Sequence, residues 1–255
     1  MSRAPGSPTT RADALLVARG LAPDLAKARA LILAGQVVAG ERRVDKPGDR
    51  VDAEAPLRLK GRAARQFVSR AGQKLEGALA DFAVDPVGCV CLDVGASTGG
   101  FTDCLLQRGA TRVYAVDVGH GHLHWRLVGD PRVVNLERTD ARAIDATCVP
   151  EPVDLLVADV SFTSLWRVLG PAIERLRPGG RAVLLVKPQF EVAAAEVGAG
   201  GIVRDPALHA RIVAEAREGA AELGLDVEGV AASVLPGTFG NVEFLLVARK
   251  PEHAT

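Results

Sequence analysis

The sequence predicts an α/β fold: a mostly parallel, seven-stranded sheet preceded by a small basic unit. Three observations carry this. From Val87 onward, short apolar runs alternate with glycine turns and helical stretches, the pattern of a sheet covered by helices on both faces. The first of these runs enters a glycine-rich turn, LDVGASTGGF, at 92–101. Charge is also unevenly placed. Residues 1–75 hold 15 Lys+Arg against 7 Asp+Glu, and the remainder holds 16 against 24, in a chain of zero formal net charge. A basic head on an acidic body suits contact with a polyanion.

A chain of 255 residues with 48% apolar content can build one large domain and a small one. Only 4% of residues are aromatic, which disfavours a surface that stacks many bases. Cys89, Cys91, Cys104 and Cys148 lack zinc-ribbon spacing, so reduced thiols and a cytoplasmic setting are expected. MSRAPGSPTTRAD has no apolar core and does not read as a signal peptide. No apolar run reaches the length of a membrane span.

Residues 1–8 read as a disordered tail and 9–60 as a first domain. In that domain RADALLVARG has helical periodicity and stops at Gly20. Asp24 caps a second helix, DLAKARALILAG, which ends at Gly35. QVVAG and RVDKPGDRV follow as small strands and turns. This stretch resembles the α-L RNA-binding domain of the ribosomal-protein-S-four type, through KARALILAGQVVAG and RRVDKPGDRV. The resemblance implies phosphate contacts from Lys27, Arg29, Arg42, Arg43 and Lys46. Ala12 and Ala39-Gly40 depart from the family's usual leucine and Asn-Gly turn. Residues 61–69 form a basic linker, with Arg65 and Arg70 as further RNA contacts, and 70–255 form the second domain. A helix from about Ser69 would carry Lys74 one turn in.

The candidate strands of the second domain are 88–94, 112–117, 132–137, 153–159, 180–187, 227–234 and 242–249. Helices are clearest at 164–176 and 206–223, the latter opened by Asp205-Pro206. The last two strands lack a long crossover, which suits antiparallel pairing.

The glycine turn is the candidate cofactor site. Gly95 permits a sharp turn, and Gly99 and Gly100 permit close backbone approach. Asp117 ends the second strand, where an acid can bind both hydroxyls of an adenosyl ribose. Asp140, after the third strand, could reach the adenine edge, and Asp93 suits a methionine amino group. Ser97, Phe101 and Asp159 complete the expected set. A P-loop would need Gly-Lys-Ser/Thr, which is missing, and a dinucleotide site prefers Gly-x-Gly-x-x-Gly. Spacing and strand context favour S-adenosylmethionine.

Lys74, Asp159, Lys187 and Glu243 are the candidate catalytic residues, the last three at or near strand ends. The position of an amino-methylation motif reads Asp159-Val-Ser161-Phe162. A pyrimidine-carbon mechanism has only Cys148 as nucleophile, before the fourth strand. A hydroxyl acceptor remains, and it must lose its proton during attack. A lysine serves as base only as a neutral amine, a state favoured by burial and a nearby cation. Lys187 ends the apolar run VLLVK and is the candidate base. Asp159 would orient it, while Lys74 and Glu243 would position the acceptor ribose.

With VSRAGQKLEGAL, LDVGASTGGFTDCLL, DLLVADVSFTSL, LLVKPQFEV and GNVEF in place, the chain resembles the TlyA type of ribosomal RNA 2'-O-methyltransferase, also labelled haemolysin A. That resemblance implies a Rossmann-like class I methyltransferase body similar to FtsJ/RrmJ, and a catalytic Lys-Asp-Lys-Glu set at Lys74, Asp159, Lys187 and Glu243. It also implies cytidine in 23S, and secondarily 16S, ribosomal RNA or ribosomal subunits as substrate. GHGHLHW at 119–125 replaces the family's Gly-Tyr-Gly-Gln, and Asp140 stands where asparagine is common, both near the expected adenosyl pocket. His120, His122 and His124 are spaced to share an ion, but a loop is the expected role and no metal is assigned. VGAGGIVRDP (197–206) is a candidate lid, and Phe67 a candidate link between RNA binding and cofactor affinity. The alternatives are a methyltransferase for a non-ribosomal or small-molecule hydroxyl, a non-catalytic RNA-binding factor, and a membrane-active haemolysin.

Overall fold

A computed structural model describes residues 9–40, 42–59, 67–237 and 240–252. The tail 1–8, Arg65 and most of the expected linker lie outside these residues. Internal contacts divide the chain into two units at Arg65/Gln66.

The first unit runs β1 (Thr9–Arg11), α1 (Ala12–Ala18), α2 (Leu25–Leu33), β2 (Val37–Ala39), β3 (Arg42–Arg43), β4 (Arg50–Asp52) and β5 (Leu57–Leu59). β1 pairs antiparallel with β4, and β2 lies between β3 and β5. Asp24 caps α2 as expected, its carboxylate accepting from Lys27 N at 2.7 Å. A small apolar core of Ala12, Leu16, Ala28, Ile32, Val37 and Val44 holds the unit together. Ala12 is fully enclosed, so the smaller side chain at this position is packed rather than exposed.

The second unit opens with α3 (Ala71–Asp81) and continues through β6 (Val90–Val94), α4 (Gly100–Gln107), β7 (Arg112–Asp117), α5 (Trp125–Val128), β8 (Val133–Glu137) and β9 (Val153–Ala158). It then runs through α6 (Gly170–Arg175), β10 (Leu176–Val186), α7 (Pro188–Glu191), α8 (Pro206–Glu222), β11 (Asp226–Ala232) and β12 (Phe244–Arg249). The sheet order is β11-β12-β10-β9-β6-β7-β8. The five strands from β10 to β8 are mutually parallel, and β12 runs antiparallel to both β10 and β11.

Strand residues alternate between two apolar layers, as a sheet covered on both faces requires. Leu92, Val94, Leu156 and Leu184 pack with Ile173 and Ile212 on one side. Cys91, Leu155, Val157 and Leu185 pack with Leu75, Leu79 and Leu105 on the other.

The helix expected at 164–176 is broken into a 3-10 turn, Leu165–Arg167, and α6. Pro171 is the reason: it lacks an N–H and fits only a helix's first turn, so the helix restarts at Gly170. The strand expected from 180 begins at Leu176, with a register break before Arg181.

Candidate active site

Chain order places the site. The chain passes from β6 outward to β7 and β8, then returns to β9 on the other side of β6. Ligands of open α/β sheets bind at such a reversal, beyond the carboxyl ends of the strands. Here those ends carry Gly95, Asp117 and Asp159. Gly95 has φ +83°, and a Cβ there would press within 2.9 Å of the Asp159 carbonyl carbon. Only glycine therefore lets the turn close against β9.

A cavity of 310 Å³ opens at this point, lined by Gly95, Ser97, Asp117, Val118, His122, Thr139 and Asp159 among others. Asp117 is fixed by two backbone donors, Ser97 N to Oδ2 at 2.8 Å and Gly119 N to Oδ1 at 2.6 Å. Val118 is an exposed apolar side chain within this lining. An anchored carboxylate beside an uncovered apolar surface suits a ribose diol and the base attached to it, so the residues present fit an adenosyl cofactor.

A second cavity, of 380 Å³, adjoins the first and shares Ser161 and Phe162 with it. Lys187, Gln189, Phe190, Gly200, Gly201, Asn241 and Glu243 line it. Lys187 Nζ lies 2.6 Å from Asp159 Oδ1 and donates to Ser161 Oγ at 2.7 Å. Lys74, buried on α3, is paired with the buried carboxylate of Glu243. The four candidate catalytic residues thus form two ion pairs, Lys187–Asp159 and Lys74–Glu243. Asp159 lines the first cavity, while Lys187 and Glu243 line the second. Phe162 is exposed, holds a left-handed backbone at φ 68°, and sits 5.4 Å from the Phe190 ring. A bulky residue in that region is strained, and such strain gathers at functional sites.

Other expected cofactor residues are placed differently. Asp93 is fully buried, and its Oδ2 accepts from Thr102 Oγ1 at 2.6 Å. Its Oδ1 has no hydrogen-bond partner among the described residues. Burial raises its pKa to about 7. Gly99 and Gly100 face neighbouring elements: a Cβ at Gly99 would meet Leu123 and Leu127, and one at Gly100 would meet Ser69. Phe101 lies in the apolar core. The Asp140 carboxylate is held by Arg142 at 2.6 Å, which lowers its pKa to about 2. None of these five lines the cavity. Sequence reading missed Val118 and Thr139, which lie in no motif, and Gln189 and Asn241, which lie within LLVKPQFEV and GNVEF but were given no role there. His120 is bonded to Glu137 through Nδ1 at 2.8 Å. Among the described residues no cluster of three or more His, Cys, Asp or Glu is arranged to hold a metal, and all four cysteines are free thiols.

In the first unit a groove of 530 Å³ brings together Arg42, Arg43 and Arg50. Lys27 and Lys46 are exposed. Arg29 is engaged by the buried Asp13 at 3.2 Å. Arg70, in the second unit, donates to the Pro236 carbonyl. Arg50 was not among the expected RNA-binding residues.

A parallel sheet with an antiparallel strand inserted beside its last parallel member, and a glycine turn followed by an acid at the next strand end, define a Rossmann-like methyltransferase body. The family model for FtsJ-like methyltransferases matches residues 67–250, and that for the S4 domain matches residues 10–56. The 16S/23S rRNA (cytidine-2'-O)-methyltransferase TlyA of Mycobacterium tuberculosis is 48% identical, over 94% of this chain and 89% of its own. Hemolysin A of Brachyspira hyodysenteriae is 36% identical over 92% of this chain and 98% of its own. A solved structure from Streptococcus thermophilus, described as a candidate hemolysin, matches with TM-score 0.72 and 39% identity over 97% of this chain and 90% of its own. The chain belongs to the FtsJ-like methyltransferase family and carries an S4 domain ahead of the methyltransferase body.

Proposed function

We propose that this protein transfers a methyl group from S-adenosylmethionine to the 2'-hydroxyl of a cytidine ribose in ribosomal RNA, 23S and 16S. The observation that carries the reading is the pair of adjoining cavities, one fitted to an adenosyl group and the other bordered by Lys187 and Glu243. The relative from M. tuberculosis supports cytidine and ribosomal RNA. The S4 domain and its arginine groove support an RNA partner.

The cofactor supplies an electrophilic methyl group on a sulfonium. Everything else falls to the protein. Once its resting ammonium has released a proton to solvent, a loss favoured by the cofactor sulfonium beside it, Lys187 Nζ takes the hydroxyl proton as the oxygen attacks, a contribution of about 10²–10⁴-fold for a positioned base. Asp159, 2.6 Å away, then faces the resulting ammonium and stabilises it. Glu243, held by Lys74, presents its carboxylate to the same cavity and orients the ribose. The exposed Phe162 ring beside Phe190 offers a face for the acceptor base. Although relatives carry the name hemolysin, no helix among the described residues is long and apolar enough to cross a membrane.

The test is methyl transfer from labelled S-adenosylmethionine to unmodified 30S and 50S subunits and to free RNA, with nucleosides read by mass spectrometry. The expected product is 2'-O-methylcytidine, lost in Lys187→Ala while cofactor binding persists. Cofactor binding without transfer to any RNA would overturn the ribosomal assignment in favour of a small-molecule hydroxyl.

A further inference from the structure

We propose that Asn241 is a positioning residue that locks the 197–204 loop and the Glu243 carboxylate into one acceptor site. The inference rests on the acceptor reading above and extends it to a residue with no assigned role.

Asn241 is almost wholly buried, and its amide is engaged at both ends. Oδ1 accepts from Val203 N at 2.9 Å and Nδ2 donates to the Gly201 carbonyl at 2.8 Å. One partner is a donor and the other an acceptor, so the amide has a single satisfied orientation. Both bonds cross to the glycine loop, which is also closed on itself by the Gly198–Ile202 bridge and Gly201 N to Gly198 O at 3.0 Å, and is tied to α8 by His209 Nε2 at 3.0 Å from the Val203 carbonyl. Gly200 and Gly201 line the acceptor cavity at φ 76° and 75°, with open space where a Cβ would sit.

The backbone of Asn241 reaches the other wall. Its carbonyl accepts from Gly237 N at 2.8 Å, and Gly237 is the residue against which the Glu243 carboxylate rests. Two residues further along the chain, Glu243 pairs with Lys74. Asn241 therefore joins the loop over the cavity to the carboxylate at its side. A buried amide with both ends used gives this joint a fixed geometry, because a lone unsatisfied end would be costly. An apolar residue could fill the space, but it would leave Val203 N and the Gly201 carbonyl without these bonds and could not hold a glycine loop by its backbone.

The experiment compares wild type, Asn241→Ala and Asn241→Asp as full-length chains on unmodified 50S subunits. Asp keeps the acceptor for Val203 N but, as a carboxylate, cannot donate to Gly201. Misplacing the acceptor by about 1 Å should lower kcat about 100-fold in both variants, the Asp variant through a buried carboxylate set against the Gly201 carbonyl. KM for subunits, set over a wide RNA surface, and the cofactor Kd should stay within about twofold of wild type. Amide exchange of Val203 should quicken in Asn241→Ala and remain slow in Asn241→Asp.

Wild-type kcat in a folded Asn241→Asp or Asn241→Ala variant overturns the inference. So does parallel loss of kcat, cofactor binding and melting temperature in both variants, which marks a merely structural role. Should the Ala variant not fold, the Asp variant decides by the same criteria. Absence of 2'-O-methylcytidine with the wild-type enzyme would instead overturn the underlying reading.

Discussion

Lys187 and Glu243 occupy the positions just beyond the last paired residues of β10 and β12, Val186 and Phe244, so the antiparallel ladder sets them side by side at one cavity. Each carries its own counter-ion, Asp159 for Lys187 and Lys74 for Glu243. Of the two pairs, Lys74–Glu243 is the more buried. Removing one partner of a buried pair leaves a charge without compensation, at a cost of about 3–5 kcal/mol. Glu243→Gln should therefore destabilise the second unit by that order in denaturant titrations and also abolish transfer. A Lys74→Met, Glu243→Leu double variant should recover most of the stability and none of the activity. Recovered activity in the double variant would remove both residues from the mechanism.

Gly237 supports that pair from the side. A Cβ there would collide with the Glu243 carboxylate, so Gly237→Ala must push Glu243 away from Lys74 or shift the loop. A fall in kcat of about 10²-fold is expected for a displacement near 1 Å, with the cofactor Kd unchanged by calorimetry. Unaltered kcat would show that the carboxylate has slack.

Asp93 gives the second unit a specific pH dependence. Burial raises its pKa from the ordinary 3.8 to about 7, so the folded chain holds a proton that the unfolded chain releases near pH 4. Between those values the folded state binds more protons, and stability falls as pH rises. The contribution is fully present below about pH 4, lost as pH passes 7 and flat above it, with an upper bound of about 4 kcal/mol. Asp93→Asn, which remains neutral, should flatten the melting temperature between pH 5 and 8 relative to wild type. Equal slopes in both proteins would refute the assignment.

Asp93 also shows where sequence reading stops. Its distance from Gly95 along the chain suggests a pocket residue, but strand side chains alternate in direction. Leu92 and Val94 belong to one apolar layer, whereas Cys91, two residues before Asp93, belongs to the other. Asp93 thus turns toward Thr102 of α4. Of the four candidate catalytic residues, Asp159, Lys187 and Glu243 were legible because a charged residue beside an apolar run, as in VLLVK, marks a strand's end at a cleft, whereas Lys74 lies within α3 and was found through the segment SRAGQKLEGAL. Asn241 was not, since its partners lie 38 and 40 residues away and nothing local signals them. β1 was missed because three residues, TTR, carry too little pattern to separate a strand from a tail.

The groove of Arg42, Arg43 and Arg50 supplies a test of the RNA-binding head. Removing one arginine–phosphate interaction should lower the magnitude of the slope of log affinity against log salt by about 0.7–0.9. Arg50→Ala should do so for isolated ribosomal RNA while the melting temperature changes little, because Arg50 is exposed and, among the described residues, its side chain bonds to Thr9 alone. An unchanged slope would remove this groove from the RNA interface.

Phe67 and Val68 link the start of the second unit to the cofactor turn. Val68 N donates to Asp103 Oδ2 at 2.7 Å, and Asp103 lies in the first turn of α4, directly after the glycines. Phe67 packs in the core against Gly72. Truncating it to alanine would open a cavity costing about 3–5 kcal/mol, so a loss of cofactor affinity in that variant would be mixed with a loss of fold. Phe67→Leu and Asp103→Ala are cleaner. Both should loosen the seating of α4 and weaken S-adenosylmethionine binding by about tenfold, equivalent to about 1.4 kcal/mol. Calorimetry on the full-length chain, paired with thermal melts, separates the cases. A melting temperature that falls with an unchanged Kd would show that this segment supports the fold without reaching the cofactor site. A weakened Kd at nearly constant melting temperature would show that the segment preceding α3 tunes cofactor affinity through α4.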